Sequence, residues 1–520
     1  MTAIPLHIID YSIISLSLII PIVISLWFSK KQDNTNKFFT SGGTLPSWAI
    51  GISVLATLIS SVTFLAYPGE GFSSNWILLV QGLMVPVTLF FFIGFIVPMY
   101  RKVIKISAYE YFEQRFGFLA RLYSSLAFFL AHFSKMGTVF YLIALAFSKM
   151  VGIDTATMIW ILGLVIVLIT LLGGIEAVVW MDVFQGIMLV VGGILSLIIL
   201  LLSIDGGIST VWTIGLENNH IGFGPFDFNF VKLTFWVMVF NGIFYAIQKY
   251  GTDQTIVQRY LTAKSDKGAI KASFMGVLMS VPVWALFMFI GTALFVYYQI
   301  HAGELPVGIK PDAVFPVFIM TKLPVGIVGI VLAALLAAAI SSLDSDLNCL
   351  SAITMEDYYT RFKPNATEKE KMLVSRLVIV LAGLAAIWVA QYYIRNNGKG
   401  VLSIVFTLYS IFSGGIAGLF LLGIFTKRAN KKGAYVGIAA CALFTAYAML
   451  TSAPLVPGKE IVLDLGKFNF HHNKMMVGVY SHLVLFGVGY LASFFFKPDN
   501  KNIIPLTYYG YRKLKHNNRN

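Results

Sequence analysis

The sequence predicts an all-α integral membrane protein, and two observations carry that prediction. Of the 520 residues, 58% are hydrophobic and only 12% charged, where a soluble domain is roughly 25% charged. Apolar runs of about 20 residues recur along the chain, the length a helix needs to cross a bilayer, and the weak alternation of a membrane barrel strand is missing. A mean hydropathy of +0.79 agrees. The net charge of +14 is read as basic residues flanking spans on the cytoplasmic side rather than as a nucleic-acid surface. Cys349 and Cys441 both lie in apolar runs, so no disulfide is expected.

Thirteen spans are expected, near 10–28, 45–67, 75–98, 120–148, 156–173, 178–203, 234–250, 270–298, 324–354, 373–391, 400–425, 433–451 and 475–496. Alternating connections put Lys30, Lys31 and Lys37 on one face of the membrane with the basic clusters of 101–115, 249–271, 361–376, 427–432 and 497–519. Positive residues mark the cytoplasm, so the N-terminus is expected outside the cell membrane and the C-terminus inside. The opening MTAIPLHIID has no basic n-region, which argues against a cleaved signal peptide. No phosphate loop, zinc His-Glu motif or G-x-S-x-G elbow occurs, and no soluble domain is left over, so function is expected within the membrane and no enzyme activity is expected.

Three spans carry polar clusters, which are costly in hydrocarbon and point to function. The second, GISVLATLISSVTFLAYPGEG, places Thr57, Ser60, Ser61 and Thr63 at its centre. Hydroxyl and β-branched residues without charge suit a locally unwound helix whose freed carbonyls face a cavity, and suit an intact helix as well. The seventh, FWVMVFNGIFYAIQKYGTDQ, is polar from Asn241 through Gln248 and Lys249 to Asp253. If one helix precedes two inverted five-helix repeats, these two spans open the repeats, where broken helices build a midplane substrate site.

The ninth span ends in AAAISSLDSDLNCLS. At about 100° per residue, Ala338, Ser341, Ser342 and Ser345 share a face roughly 100° wide. Hydroxyls plus a backbone carbonyl form an oxygen cage suited to Na⁺, while small residues on one face also permit close helix packing. Asp344, about 60° from Ser341, is expected to flank the cage; Asp346, about 160° from Asp344, is expected at the cytoplasmic mouth or against a basic partner. Asp182 fits a cation ligand or a solvated helix end. Lys135, near mid-membrane, needs an anion from protein or solute. Lys249, nearer the inner boundary, fits a snorkelling or inner-gate role.

FFTSGGTLPSWAIGISVLAT, GGIEAVVWMDVFQG, QTIVQRYLTAKS, AAAISSLDSDLNCLS and GLFLLGIFTKRANKKGAYVG, in that order, resemble the sodium:solute symporter family over about residues 9–450. Within it, ISVLATLISSVTF, SAYEYFEQRFG and GTALFVYYQ are most similar to the bacterial sialic acid transporters. The resemblance implies the leucine-transporter-type fold: thirteen transmembrane helices with two inverted five-helix repeats, at about 45–203 and 234–425 of a domain spanning 1–451, then a loop and last helix over 452–496 and a basic cytoplasmic tail over 497–520. It implies a main Na⁺ site at Ala56, Ile59, Ala338, Ser341 and Ser342. A possible second site falls on Asp182, Ser341, Asp344 and Ser345, with a carboxylate, Asp344, where the relatives carry a hydroxyl.

The implied substrate site is Thr57 to Thr63 with Gln81, shifted by one place, and Lys135 where the relatives have arginine. The charge survives and the guanidinium fork does not. These residues imply Na⁺-coupled import of a small organic solute, foremost an acidic sugar such as sialic acid, with a neutral sugar, a monocarboxylate or another small anion as the alternative. A non-transporting solute sensor, a channel and proton coupling through Asp344 or Asp346 are rival readings. Partners are the solute, Na⁺ and the bilayer; neither nucleic acid nor an obligate protein partner is evident.

Overall fold

Long apolar helices dominate the computed structural model, which describes residues 6–30, 32, 34–395, 411, 414–452, 461, 463–498 and 503–517. They are α1 (Ile8–Ser29), the broken pair α2 (Ser47–Leu58) and α3 (Val62–Ser73), α4 (Leu79–Val103), α5 (Phe118–Val151), α6 (Thr155–Leu172), α7 (Ile175–Leu202) and α8 (Phe235–Gly251). The short α9 (Gln254–Thr262) follows, then α10 (Asp266–Ile300), α11 (Ile327–Ile353), α12 (Glu368–Arg395), α13 (Ile416–Phe425), α14 (Lys431–Thr451) and α15 (Met475–Ala492). Among the described residues, the one strand-like pairing is an isolated bridge between Leu45 and Ala263. Among them too, nine helices are long and apolar enough to cross a membrane, ten when α2 and α3 count as one bent span. Thirteen crossings therefore exceed what length and hydropathy fix among these residues; of the expected span 400–425, residues 400–410, 412 and 413 lie outside them.

The second span is broken, as its hydroxyl-rich centre allows. α2 ends at Leu58, Ile59 is extended at φ −96° and ψ 119°, and α3 starts with a wide π turn over Val62–Ala66. The two halves meet at 57°. Ending there leaves the last carbonyls of α2 without helical amide partners, apart from Leu55, which accepts from Ile59 N–H at 3.0 Å. The seventh span differs from expectation. α8 runs unbroken from Phe235 to Gly251, and the chain leaves helix only at Thr252 and Asp253. The Asp253 carboxylate accepts from Thr255 N–H at 2.9 Å and so starts α9.

α11 lies at the centre, every residue from Val331 to Ile353 being buried. Its N-terminus is fixed by α1: Asp10 Oδ1 accepts from Gly326 N–H and Gly329 N–H, each at 2.8 Å. α3 is fixed on α10 through glycine. A Cβ at Gly71 would meet the Met288 carbonyl, and one at Gly291 the Pro68 carbonyl, so only glycine lets these backbones touch. α9 is tied down on its buried face. Gln254 bridges Ala108 N–H and the Ile106 carbonyl, each at 2.7 Å, and Gln258 donates to the Phe39 carbonyl at 2.8 Å.

Candidate functional site

The break between α2 and α3 faces a cavity of about 840 Å³ when the open space at its mouth is counted. Thr57, Ser60 and Thr63 of the broken span line it, with Gln81 of α4, Lys135 of α5, Tyr245 and Lys249 of α8 and Trp284 of α10. Gln81 Oε1 is buried without a hydrogen-bond partner, an acceptor left open for a solute donor. Four of the hydroxyl and amide residues expected at a substrate site thus share one wall with Lys135. Ser61 does not: its hydroxyl turns to the Val139 carbonyl at 3.3 Å. Lys249, expected at an inner gate, stands in the cavity wall and donates to Asp253 at 2.6 Å and to Thr255 Oγ1 at 3.0 Å.

The serine face of α11 lies behind this wall. Thr57 Oγ1 is 3.4 Å from Ser345 Oγ, bringing the end of α2 against α11. Ser341 Oγ and Ser342 Oγ are buried with no hydrogen bond. Two buried hydroxyls without a hydrogen bond, beside a helix end whose last carbonyls lack helical amides, suit a desolvated hard cation. Ala338 lies inside continuous helix, so its carbonyl offers such an ion one lone pair at most.

Asp182, Asp344 and Ser345 gather close by, together with a residue that sequence reasoning missed. Arg259 of α9 is fully buried. Its Nη2 lies 2.8 Å from Asp182 Oδ2 and 2.9 Å from Ser345 Oγ, its Nε 2.8 Å from Ser53 Oγ, and its Nη1 donates to the Thr255 carbonyl at 2.5 Å. Ser53 also donates to Asp182 Oδ2 at 2.5 Å. A guanidinium thus already answers Asp182 and Ser345. Both oxygens of Asp344 and Asp182 Oδ1 remain buried and unpartnered, so the cluster holds two carboxylates against one tethered cation, and a second cation would balance it.

Asp346 is turned to a basic partner, one of its two expected positions. Lys135 Nζ lies 3.1 Å from its Oδ1 and 3.0 Å from its Oδ2. His132, also missed, places Nδ1 at 2.9 Å from Asp346 and Nε2 at 3.1 Å from Asp253. By sequence Arg259 falls within the basic cluster of 249–271, expected outside the membrane, and a lone histidine in an apolar run carries no spacing signal; the signal lies in the need of each buried carboxylate for a partner.

The family model for sodium:solute symporters matches residues 38–440. The chain belongs to the sodium:solute symporter family. It is similar to the sodium/sialic acid symporter SiaT of Proteus mirabilis strain HI4320, 35% identical over 434 residues, 83% of this chain and 87% of that one. It is also similar to the sodium/sialic acid symporter NanT of Aliivibrio fischeri strain ATCC 700601 / ES114, 31% identical over 475 residues, 91% of this chain and 90% of that one. A solved Na⁺-coupled sialic acid symporter, substrate-bound and outward-open, superposes with a TM-score of 0.85 at 32% identity, covering 95% of this chain and 99% of the other. The nucleobase-cation symporter Mhp1, closed with bromovinylhydantoin bound, matches at a TM-score of 0.60 and 17% identity over 91% of this chain and 98% of its own, a likeness of fold alone. This sodium:solute symporter has the leucine-transporter-type fold, is a multi-pass membrane transporter rather than an enzyme, and moves its solute with Na⁺.

Proposed function

We propose that this chain imports an acidic sugar of the sialic acid type, driven by Na⁺. The observation that carries the reading is the cavity wall, where Lys135, Thr57, Ser60 and Thr63 line one space beside the buried Ser341 and Ser342, whose hydroxyls make no hydrogen bond. Similarity to two sodium/sialic acid symporters supports the solute class. In this reading the solute carboxylate pairs with Lys135, its hydroxyls and amide meet Thr57, Ser60, Thr63 and Gln81, and Lys249 keeps the inner side of the cavity electropositive. Na⁺ enters as cargo between the Ala56 and Ile59 carbonyls and the Ala338, Ser341 and Ser342 oxygens, bracing the end of α2. A second ion sits toward Asp344 and Asp182, beside Arg259.

The N-terminus lies outside and the C-terminus in the cytoplasm, and residues 1–451, with core repeats about 45–203 and 234–425, form the transporting unit. The loop and last helix at 452–496 and the basic tail at 497–520 are appended to it. One charge falling through 100 mV yields about 2.3 kcal/mol, enough to concentrate solute roughly fortyfold. A second reading, import of a smaller monocarboxylate, is favoured by Lys135 itself, since a point charge fits any carboxylate where a fork selects geometry. Uptake of labelled N-acetylneuraminate, lactate and glucose into proteoliposomes, with and without an inward Na⁺ gradient, decides between them. Gradient-dependent accumulation of N-acetylneuraminate is expected; uptake of lactate alone selects the second reading, and equal rates without a gradient sink the coupling.

A further inference from the structure

The two ammoniums of the cavity are the ends of one buried chain of polar contacts. Lys135 donates to Asp346 Oδ1 at 3.1 Å, the same oxygen meets His132 at 2.9 Å, His132 meets Asp253 at 3.1 Å, and Asp253 meets Lys249 at 2.6 Å. Asp346 is fully buried. It stands on α11 directly after Ser345 and four residues, about one turn, beyond the unpartnered Ser342. One helix therefore carries the oxygens suited to Na⁺ and the carboxylate that meets the cavity's ammonium.

We propose that Asp346 is the positioning residue that couples solute binding to Na⁺ binding, a role that rests on the anionic-solute reading above. With no solute in place, Lys135 donates to Asp346 Oδ1 and lies 3.0 Å from Oδ2, which is buried without a hydrogen bond of its own. A solute carboxylate reaching the same ammonium meets Asp346 within a few ångströms, and two like charges repel strongly where water is excluded. Asp346 then yields Lys135 and leans on His132, whose far nitrogen is held by Asp253 and whose ring stacks on Phe128 at 3.8 Å. The carboxylate is thus exchanged between partners rather than abandoned. α11 is packed on every side, so an adjustment at Asp346 is passed to Ser345 and Ser342 within one turn. By linkage, Na⁺ at the serines then favours the solute-bound arrangement by the same factor.

The first test needs no solute: Na⁺ titration of the purified full-length protein in lipid nanodiscs. Lys135→Gln frees Asp346 as a solute would, and is expected to tighten Na⁺ at least fivefold, the lower end of ordinary coupling. In an Asp346→Asn background the same substitution is expected to change Na⁺ affinity less than twofold. An unchanged affinity in Lys135→Gln, or an equal gain in both backgrounds, which marks a direct through-space effect, overturns the proposal. A second test avoids variants altogether: the wild-type protein binds N-acetylneuraminate or its methyl ester with and without saturating Na⁺. Na⁺ is expected to tighten the acid at least fivefold and the ester less than twofold, and equal tightening overturns the role of Asp346. Failure of N-acetylneuraminate to bind at all counts against the solute reading alone, and the Na⁺ titrations still decide Asp346.

Discussion

Two faces of α11, within about a turn and a half of each other, treat buried polarity in different ways. On one, Asp346 Oδ1 is held by Lys135 at 3.1 Å and His132 at 2.9 Å, while its Oδ2 lies 3.0 Å from the Lys135 ammonium without a hydrogen bond. On the other, Ser341 Oγ, Ser342 Oγ and both oxygens of Asp344 are equally buried and meet no partner. Paired groups hold helices together; buried groups without a hydrogen bond call for another explanation, a bound ion being one. The contrast separates the framework of the proposed site from its candidate ligands, and four substitutions probe it, from the largest expected effect to the smallest.

Arg259→Met removes the cation from the paired side and leaves Asp182 uncompensated. A loss of about 3–5 kcal/mol is expected, read as a lower midpoint of thermal unfolding in Na⁺-free buffer. High Na⁺ should restore part of it if Asp182 and Asp344 form a cation position; no recovery removes them from the proposed second site. Ser342→Ala acts on an unpaired group, so its effect should be opposite in kind. The Na⁺ concentration for half-maximal uptake is expected to rise about tenfold, roughly 1.4 kcal/mol, while unfolding without Na⁺ shifts by less than about 0.5 kcal/mol, because no hydrogen bond is lost. A large loss of Na⁺-free stability would show that Ser342 belongs to the framework instead.

Thr57→Ala lies on the boundary, since its hydroxyl donates to the Ser53 carbonyl at 2.8 Å and also lines the cavity. About fivefold weaker solute uptake is expected, near 1 kcal/mol for one hydrogen bond, with the Na⁺ requirement moving less than twofold. Far from both faces, Lys363 and Glu370 pair at 2.6 Å with side chains 52% and 40% exposed. Lys363→Ala is expected to cost less than about 0.5 kcal/mol, which calibrates how little an ion pair contributes once water competes.

The serine face of α11 is readable in the sequence because its message is periodic: serines at helical spacing in an alanine-rich run define a face through residue order alone. The broken second span is half legible, since hydroxyls permit unwinding without placing it, and the extended Ile59 emerges only from packing. The seventh span misleads because polarity from Asn241 to Asp253 resembles a break inside the helix, whereas those groups are satisfied by their neighbours, Lys249 by Asp253 and Asn241 by the Met475 carbonyl. Arg259 and His132 are hidden for a different reason. Asp182, Ser345, Asp253 and Asp346, which they meet, lie 77, 86, 121 and 214 residues away, and pairing over such separations leaves no local pattern.

The glycine contact between Gly71 and Gly291 sets how closely the outer half of the broken span can lie on its neighbour. Backbone there is pressed on backbone, and α2 meets the same helix in a similar way, since a Cβ at Gly276 would fall on the Gly51 carbonyl, so both halves of the span rest on α10 while the end of α2 also lies against α11. The interruption between the halves is the non-helical stretch at Ile59 and Ser60, the same stretch whose carbonyl and hydroxyl are proposed to meet the ion and the solute. In that proposal the span is interrupted inside its own binding site, so whatever occupies the site also braces the break.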